Sequence, residues 1–282
     1  MGAAHRLAKR AFRQADRRFL VEGPQAVTEA LAATGAGPGA LLGLFCTTEA
    51  AVRHADLVDR AVAAGVPVTA VSGEVLRTLA ATVTPQGLVG VAAFRDVPLA
   101  AAVAGAPALV VVLAAVRDPG NAGTVLRAAD AAGADAVIFS DTSVDPYNGK
   151  CVRASAGSLF HLPFAVGVPV SAAVAALRAG GLQVLAAAGD APADLDSLAA
   201  AGELAGPTGW LFGNEAWGLP APTRALADRT VRVPIHGRAE SLNLAAAAAV
   251  CLYASARAQR GPAGCRVTSS PNAGDEMPPV TG

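Results

Sequence analysis

Short runs of uniformly apolar residues alternate with Ala-rich segments of helical spacing along most of the chain. In the first third, 24–33 has helical spacing behind the turn Glu22-Gly23-Pro24 and stops near Gly35. Residues 41–47 and 66–72 read as strands, with a helix over 48–64 between them that ends at Gly65. A further helix over 73–81 precedes a strand over 87–94. This β-α-β-α-β order predicts a compact α/β unit. The stretch 96–107, where Pro98, Gly105 and Pro107 bracket an Ala-rich middle, reads as a linker. The alternation then resumes on a larger scale. Strands are expected at 108–115, 136–140, 181–188, 209–212 and 230–235, and helices at 122–132, 171–179 and 244–259. Strands that are apolar at every position, not at alternate ones, belong to parallel sheets covered on both faces. The predicted division is an N-terminal domain over 1–97, a linker over 98–107, a second domain over 108–260 and a disordered tail over 261–282. No internal repeat is visible.

Composition narrows the function classes. A chain of 282 residues is long enough for two domains. Lys+Arg and Asp+Glu balance at 22 each, so any nucleic-acid contact must come from local clustering and not from a global field. Aromatic residues make up 4%, which argues against an RNA-binding sheet of stacked aromatics. Cys46, Cys151, Cys251 and Cys265 are scattered without metal-ligand or redox spacing, so no metal is expected and they read as ordinary thiols of a reducing cytosol. Arg6, Lys9, Arg10, Arg13, Arg17 and Arg18 interrupt the first twenty residues and argue against a secretory signal. The longest apolar run, 106–116, falls short of the roughly 18 to 20 residues a membrane span needs. The expectation is a cytoplasmic protein with no membrane contact.

Three segments carry candidate chemistry. In the first, Asp118-Pro119-Gly120 makes a tight turn, Asn121 is placed to cap the following helix, and Gly123 leaves room for a close approach. Arg127 lies two turns into that helix, off the flank of Val125, Ala129 and Ala132 that should face the core. Taken alone, a cap and a surface cation explain this motif as well. In the second, a strand over 209–212 runs straight into Gly213-Asn214-Glu215-Ala216-Trp217-Gly218-Leu219. A plain turn accounts for the glycines but leaves Glu215 and an exposed Trp217 without a role. Ligands of open α/β sheets bind beyond the carboxyl ends of strands, where this motif sits. In the third, the strand ending at Pro234-Ile235 gives way to the polar loop 236–240, and Ser241 and Asn243 start a long Ala-rich helix that at least one of them should cap. That helix is apolar almost all round over 244–253, so it should be buried within the domain or against a second subunit.

In order and spacing these segments resemble the TrmH (SpoU) family of SPOUT RNA 2′-O-ribose methyltransferases. Asn121-x-Gly123-x-x-x-Arg127 is similar to the family's first motif, Gly213-Asn214-Glu215-x-x-Gly218-Leu219 to its second, and 234–243 to its third; Val152-Arg153-Ala154-Ser155-Ala156-Gly157-Ser158-Leu159-Phe160 resembles a further family segment. The likeness spans about 108–258, and the three motifs together are far more specific than any one. It implies a SPOUT-type parallel α/β sheet with a C-terminal trefoil knot, a homodimer, and an N-terminal L30e-like α/β domain that binds RNA. Phe19-Leu20-Val21-Glu22-Gly23 and Thr84-Pro85-Gln86-Gly87 resemble that smaller domain. The resemblance also implies S-adenosylmethionine (S-adenosyl-L-methionine) as cofactor, held by Leu211, Gly213, Asn214, Glu215, Gly218, Ile235, Ser241, Leu242, Asn243 and Ala245. Arg127 would then be catalytic, with Asn121, Glu215, Ser241 and Asn243 shaping the site. No G-x-G-x-x-G follows a predicted strand, which disfavours a Rossmann-type cofactor site. For RNA contacts, Arg6, Arg10, Arg13 and Arg17 would form one basic stripe if their segment is a helix, against the alternative of a solvated face; Lys150 and Arg153 are further phosphate partners. The expected substrate is ribosomal RNA ahead of transfer RNA. The competing readings are a catalytically silent RNA- or ribosome-binding protein of the same fold and a small-molecule α/β enzyme.

Overall fold

A computed structural model describes residues 2–33, 40–80, 82 and 84–261. Residues 262–282 of the expected tail, with Cys265, lie outside the described residues, as does the last residue of the helix expected over 73–81.

The N-terminal part begins with two short helices, α1 (Gly2–Arg6) and α2 (Arg10–Asp16), and continues β1 (Arg18–Glu22), α3 (Pro24–Ala32), β2 (Leu41–Cys46), α4 (Thr48–Arg53), α5 (Ala55–Ala63), β3 (Val68–Ala70), α6 (Gly73–Leu79) and β4 (Leu88–Ala93). Its four strands form a mixed sheet in the order β1-β4-β2-β3, antiparallel except between β2 and β3. Strand β1 is an addition to the expected pattern. It follows directly on an arginine-rich helix, and its Phe19, Leu20 and Val21 are all buried. The helix expected over 48–64 is two, because His54 takes φ −120° and ψ 41° and serves as the junction. The strand expected over 66–72 shrinks to three residues.

The segment expected as a linker is packed instead. Helix α7 (Leu99–Ala102) buries Ala102, and the Val97 N–H donates to the Phe164 carbonyl at 2.9 Å. Val97, Leu99 and Val103 join an apolar cluster under the second sheet, which outweighs the Pro and Gly signals of a free connection.

The second part contains β5 (Leu109–Leu113), α8 (Pro119–Ala132), β6 (Ala136–Ser140), α9 (Gly149–Ala154), β7 (Phe164–Val168), α10 (Val170–Ala179), β8 (Gln183–Ala187), β9 (Ala193–Asp194), α11 (Leu195–Ala200), β10 (Thr208–Phe212), α12 (Ala221–Arg224), β11 (Arg229–Arg232) and α13 (Leu244–Arg260). Its seven strands are all parallel, in the order β7-β6-β5-β10-β8-β11-β9. The central strands β5, β6 and β10 are buried at every position, as their unbroken apolar runs require. Helix α13 covers one face, where the Trp210 indole N–H donates to the Ser255 hydroxyl at 2.9 Å in the core. Helix α8 packs on α9 so closely that a Cβ at Gly123 would lie 2.3 Å from the Cys151 carbonyl oxygen. Helix α13 is not buried all round: Ala246, Val250, Tyr253 and Arg257 form an exposed stripe at helical spacing.

The two parts share one core. Phe19 lies 4.8 Å from Tyr147 between ring centroids, and Tyr147 stacks on Phe94 at 3.7 Å. The Tyr147 hydroxyl donates to Asp96 at 2.6 Å and accepts the N–H groups of Arg95 and Asp96, so it is fully engaged. Beside it Arg13, 5% exposed, donates to Asp145 from Nε and Nη2 at 3.2 and 2.7 Å, and from Nη1 to the Leu7 and Ala8 carbonyls. Arg13 is therefore a structural cation and not part of an RNA-binding stripe. The stripe itself does not form. The chain leaves the helix between Arg6 and Arg10, Arg6 lies over Phe12, and Arg17 takes φ 52° and pairs with Asp96. Of the four arginines, only Arg10 makes neither an ion pair, a hydrogen bond nor a ring contact with a described residue.

His161 is a second tie between the parts, with Nδ1 2.7 Å from Asp130 and Nε2 3.1 Å from Glu29. Burial opposes its protonation, but the two carboxylates outweigh burial and raise its pKa above the ordinary 6.5. A raised folded value means that its contribution is complete below about pH 6.5 and fades as the pH climbs through the folded pKa. The thermal midpoint should fall between about pH 6 and pH 8.5, and His161→Gln should flatten part of that fall. Parallel slopes for both proteins would show that the contact is energetically silent.

Candidate active site

Beyond the carboxyl ends of β5, β10 and β11 three chain segments meet. The first is the β5–α8 connection. Ala115 there adopts φ 55°, a costly conformation for a residue with a Cβ, and is held in it from both sides. Its N–H donates to the Ser140 hydroxyl at 3.0 Å, and its carbonyl accepts from Asn214 Nδ2 at 2.8 Å. Helix α8 then starts three residues earlier than expected, at Pro119 and not at 122. Asp118, not Asn121, is the N-cap, accepting the Asn121 N–H at 2.8 Å. A Pro at the first helical position fits this start, since it has no N–H to satisfy.

With capping done by Asp118, the Asn121 side chain is free to bridge. Its Nδ2 donates to Glu215 at 3.2 Å and its Oδ1 accepts from Asn243 Nδ2 at 3.0 Å. Asn243 Oδ1 in turn caps α13 by accepting the Ala245 N–H at 2.9 Å. Glu215 also accepts the main-chain N–H groups of Arg117 and Asp118 at 3.2 and 3.0 Å. Burial works to raise the Glu215 pKa, but its own N–H, those of Arg117 and Asp118, and the Asn121 amide outweigh that and hold it below the usual carboxylate range. Glu215 is thus an ionised hub that fastens the β10 loop to the start of α8, and Asn121 carries the connection on to α13.

The β10 loop is tight. Asn214 and Gly218 exchange both backbone hydrogen bonds at 2.9 Å, the Ala216 N–H donates to Asn214 Oδ1, and Gly218 takes φ 66°. A Cβ at Gly213 would lie 2.5 Å from the Gly218 backbone, so only glycine permits this closure.

A cleft opens between this loop, the end of β8 and the segment leading into α13. Gly213, Asn214, Glu215, Gly218, Ile235, Ser241 and Leu242 line it. Leu211, Asn243 and Ala245 do not. The strand pleat turns the Leu211 side chain into the opposite apolar cluster and brings Phe212 to the cleft. Ala245 is buried in the main core while Leu244 and Ala247 face the cleft, and Asn243 is spent on Asn121. The end of β8, with Ala187, Ala188 and Gly189, forms a wall that motif reading missed. Its signal was the sheet order, in which β8 lies between β10 and β11, and no sequence motif marks it. The walls are largely small and apolar and the rim is polar, a lining suited to a small ligand with one apolar face and a few polar groups.

The remaining candidates fall into two groups. Arg127 is exposed on α8 in line with Gly120 and Thr124, and makes no ion pair or hydrogen bond with a described residue. Lys150 pairs with Asp118 at 2.5 Å beside the α8 N-terminus. Arg153 departs from its expected phosphate role: it reaches Glu22 of β1 at 3.1 Å because α9 lies against that strand, so it joins the two parts. Among the described residues no cluster of His, Cys, Asp and Glu could hold a metal ion, and no helix is long and apolar enough to cross a membrane.

The sequence pattern of the SpoU rRNA Methylase family matches residues 108–253, and that of the MRM3-like substrate binding domain matches residues 3–90. The chain is 33% identical over 235 residues to the 23S rRNA (guanosine(2553)-2′-O)-methyltransferase RlmP of Bacillus subtilis, covering 83% of this chain and 87% of that one. It is similar to the AdoMet-bound rRNA methyltransferase from Sinorhizobium meliloti, with a TM-score of 0.77 and 32% identity over 90% of this chain and 92% of that one. The SpoU methyltransferase AviRb from Streptomyces viridochromogenes in complex with AdoMet aligns with a TM-score of 0.77 and 29% identity, over 90% of this chain and 96% of that one.

Proposed function

The chain belongs to the SpoU rRNA methylase family, and from that premise we propose that it methylates a ribose 2′-oxygen of 23S ribosomal RNA with S-adenosylmethionine as donor. The observation that carries this reading is the hydrogen-bonded chain Glu215–Asn121–Asn243, which draws three separate segments together around one cleft. When bound, S-adenosylmethionine supplies an electrophilic methyl group on a positively charged sulfur. The chain's own residues then have to hold the donor, orient the sugar and accommodate the charge that develops on its oxygen. Gly213, Gly218, Ser241 and Leu242 would hold the donor in the cleft, against the apolar walls.

Glu215 is not placed to take the hydroxyl proton, because its carboxylate is already engaged by three N–H donors. Arg127 offers a fork of N–H donors and no acceptor, so it serves by stabilising the developing oxyanion or the neighbouring phosphate. The intact network speaks against a catalytically silent relative. Arg117, on the β5–α8 connection, and Arg127, on α8, are both exposed cations, which favours a large anionic substrate over a small molecule.

The proposal includes a homodimer formed through the exposed stripe of α13, where Val250 and Tyr253 are 42% and 46% exposed, and a C-terminal segment threaded as a trefoil knot. The deciding experiment incubates the purified protein with labelled S-adenosylmethionine and either protein-free 23S rRNA or transfer RNA, then maps 2′-O-methylation by nucleotide. One new methylated ribose in 23S rRNA is expected. Label in transfer RNA alone would transfer the activity to that substrate, and label in neither would end the reading.

A further inference from the structure

The network around Glu215 leaves two exposed side chains on the segments it joins, Arg117 before α8 and Trp217 in the β10 loop. Arg117 is exposed, and its guanidinium makes no hydrogen bond or ion pair with a described residue. Its main chain is nonetheless fixed, because its N–H donates to Glu215. Both adjoining carboxylates are committed elsewhere, Asp118 to capping α8 and to Lys150, Glu215 to three N–H donors. The positive charge of Arg117 therefore has no counterpart among the described residues.

Trp217 stands two residues beyond Glu215 in the loop closed by the Asn214–Gly218 pair, and is 58% exposed. The chain has two tryptophans, and the other, Trp210, is fully buried. A large indole held in water on a rigid loop forgoes a substantial hydrophobic gain unless something covers it. An exposed aromatic face two residues from Glu215 and an exposed guanidinium on a residue whose N–H donates to that carboxylate suit one unpaired nucleotide, whose base stacks while its phosphate pairs. A paired base offers no free face, because its neighbours in the helix cover it.

We propose that Trp217 and Arg117 form a clamp for the target nucleotide in an unpaired, unstacked state, with the base on the indole and an adjoining phosphate on the guanidinium. This rests on the RNA-methylation reading above and adds its substrate class, a single-stranded site recognised by its accessibility. Stacking accepts the face of any base, so the clamp selects for an unpaired nucleotide more than for base identity. A second copy of the chain is the competing occupant. The stripe on α13 gives a second copy a separate surface, and the exposed cation on the segment bonded to Glu215 favours an anionic polymer.

The test uses the full chain and protein-free 23S rRNA. Trp217→Ala should raise KM for RNA about tenfold, with S-adenosylmethionine affinity and sedimentation unchanged, and Trp217→Phe should recover most of the loss. Arg117→Gln should lower the salt dependence of RNA binding by about one phosphate contact. Annealing a complementary DNA strand over the mapped site should block methylation by the wild type. An unchanged KM, a dimer dissociated by Trp217→Ala, or equal methylation of the annealed site would overturn the clamp. If the wild type methylates no RNA at all, the activity reading fails separately. Fluorescence then decides the clamp, with Trp217 emission quenched by oligouridylate but not by its duplex with oligoadenylate supporting it, and no difference between the two refuting it.

Discussion

Replacing Arg127 by Ala should cut methyl transfer at least about 100-fold while leaving S-adenosylmethionine affinity within about twofold. The side chain is exposed on α8 and holds nothing in place, so its removal should disturb neither fold nor cleft. On the proposed reading it removes a positive charge beside the reacting sugar, and a donor aimed at developing charge is worth about 100- to 1000-fold in the chemical step. Arg127→Lys keeps a charge but not the planar fork, and should recover only part of the rate. Single-turnover methyl transfer with donor and RNA both saturating isolates this effect from binding. Wild-type turnover in Arg127→Ala would remove this residue from the chemistry and leave it a surface cation.

Arg13→Ala should be the most damaging change to stability, by about 3 to 5 kcal/mol. It strips the partner from Asp145, itself only 5% exposed, and leaves a buried carboxylate without its cation. Asp145 also accepts the Tyr147 N–H at 2.9 Å, so the loss reaches the aromatic stack that joins the two parts. Arg13→Met combined with Asp145→Leu should restore much of the loss, because an apolar pair needs no compensation for desolvation. Urea denaturation followed by circular dichroism would measure both. A single variant no less stable than wild type would show that water reaches the pair.

The parallel sheet was legible in the sequence because its strands are apolar at every position. The strand over 136–140 matches to the residue, and that over 209–212 to within one. Strands β1 and β7 were not legible, the first hidden behind six basic residues and the second behind a run interrupted by Gly167. The packing of 96–107 was invisible for a different reason: its few apolar residues find partners only once β7 exists. Motif spacing located the segments of the site but not the division of work within it. Asp118 and Asn121 are both good caps, and which one caps is decided by Pro119 and by Glu215, 94 positions away from Asn121. Similarly, Arg13 and Arg10 are indistinguishable in sequence. One is buried because Asp145 waits for it across 132 positions.

The bond between Asn121 and Asn243 closes a loop of 122 positions, and that has a consequence for when the protein can work. During synthesis, every strand of the parallel sheet emerges before residue 243, but the Asn121 Oδ1 has no Asn243 amide to donate to it until the start of the last helix has left the ribosome. The cleft is therefore finished late, and chains released early would carry a nearly complete sheet with an unfinished cleft. A modifying enzyme that acts on the machinery of translation gains its own competence only after that machinery has finished with it.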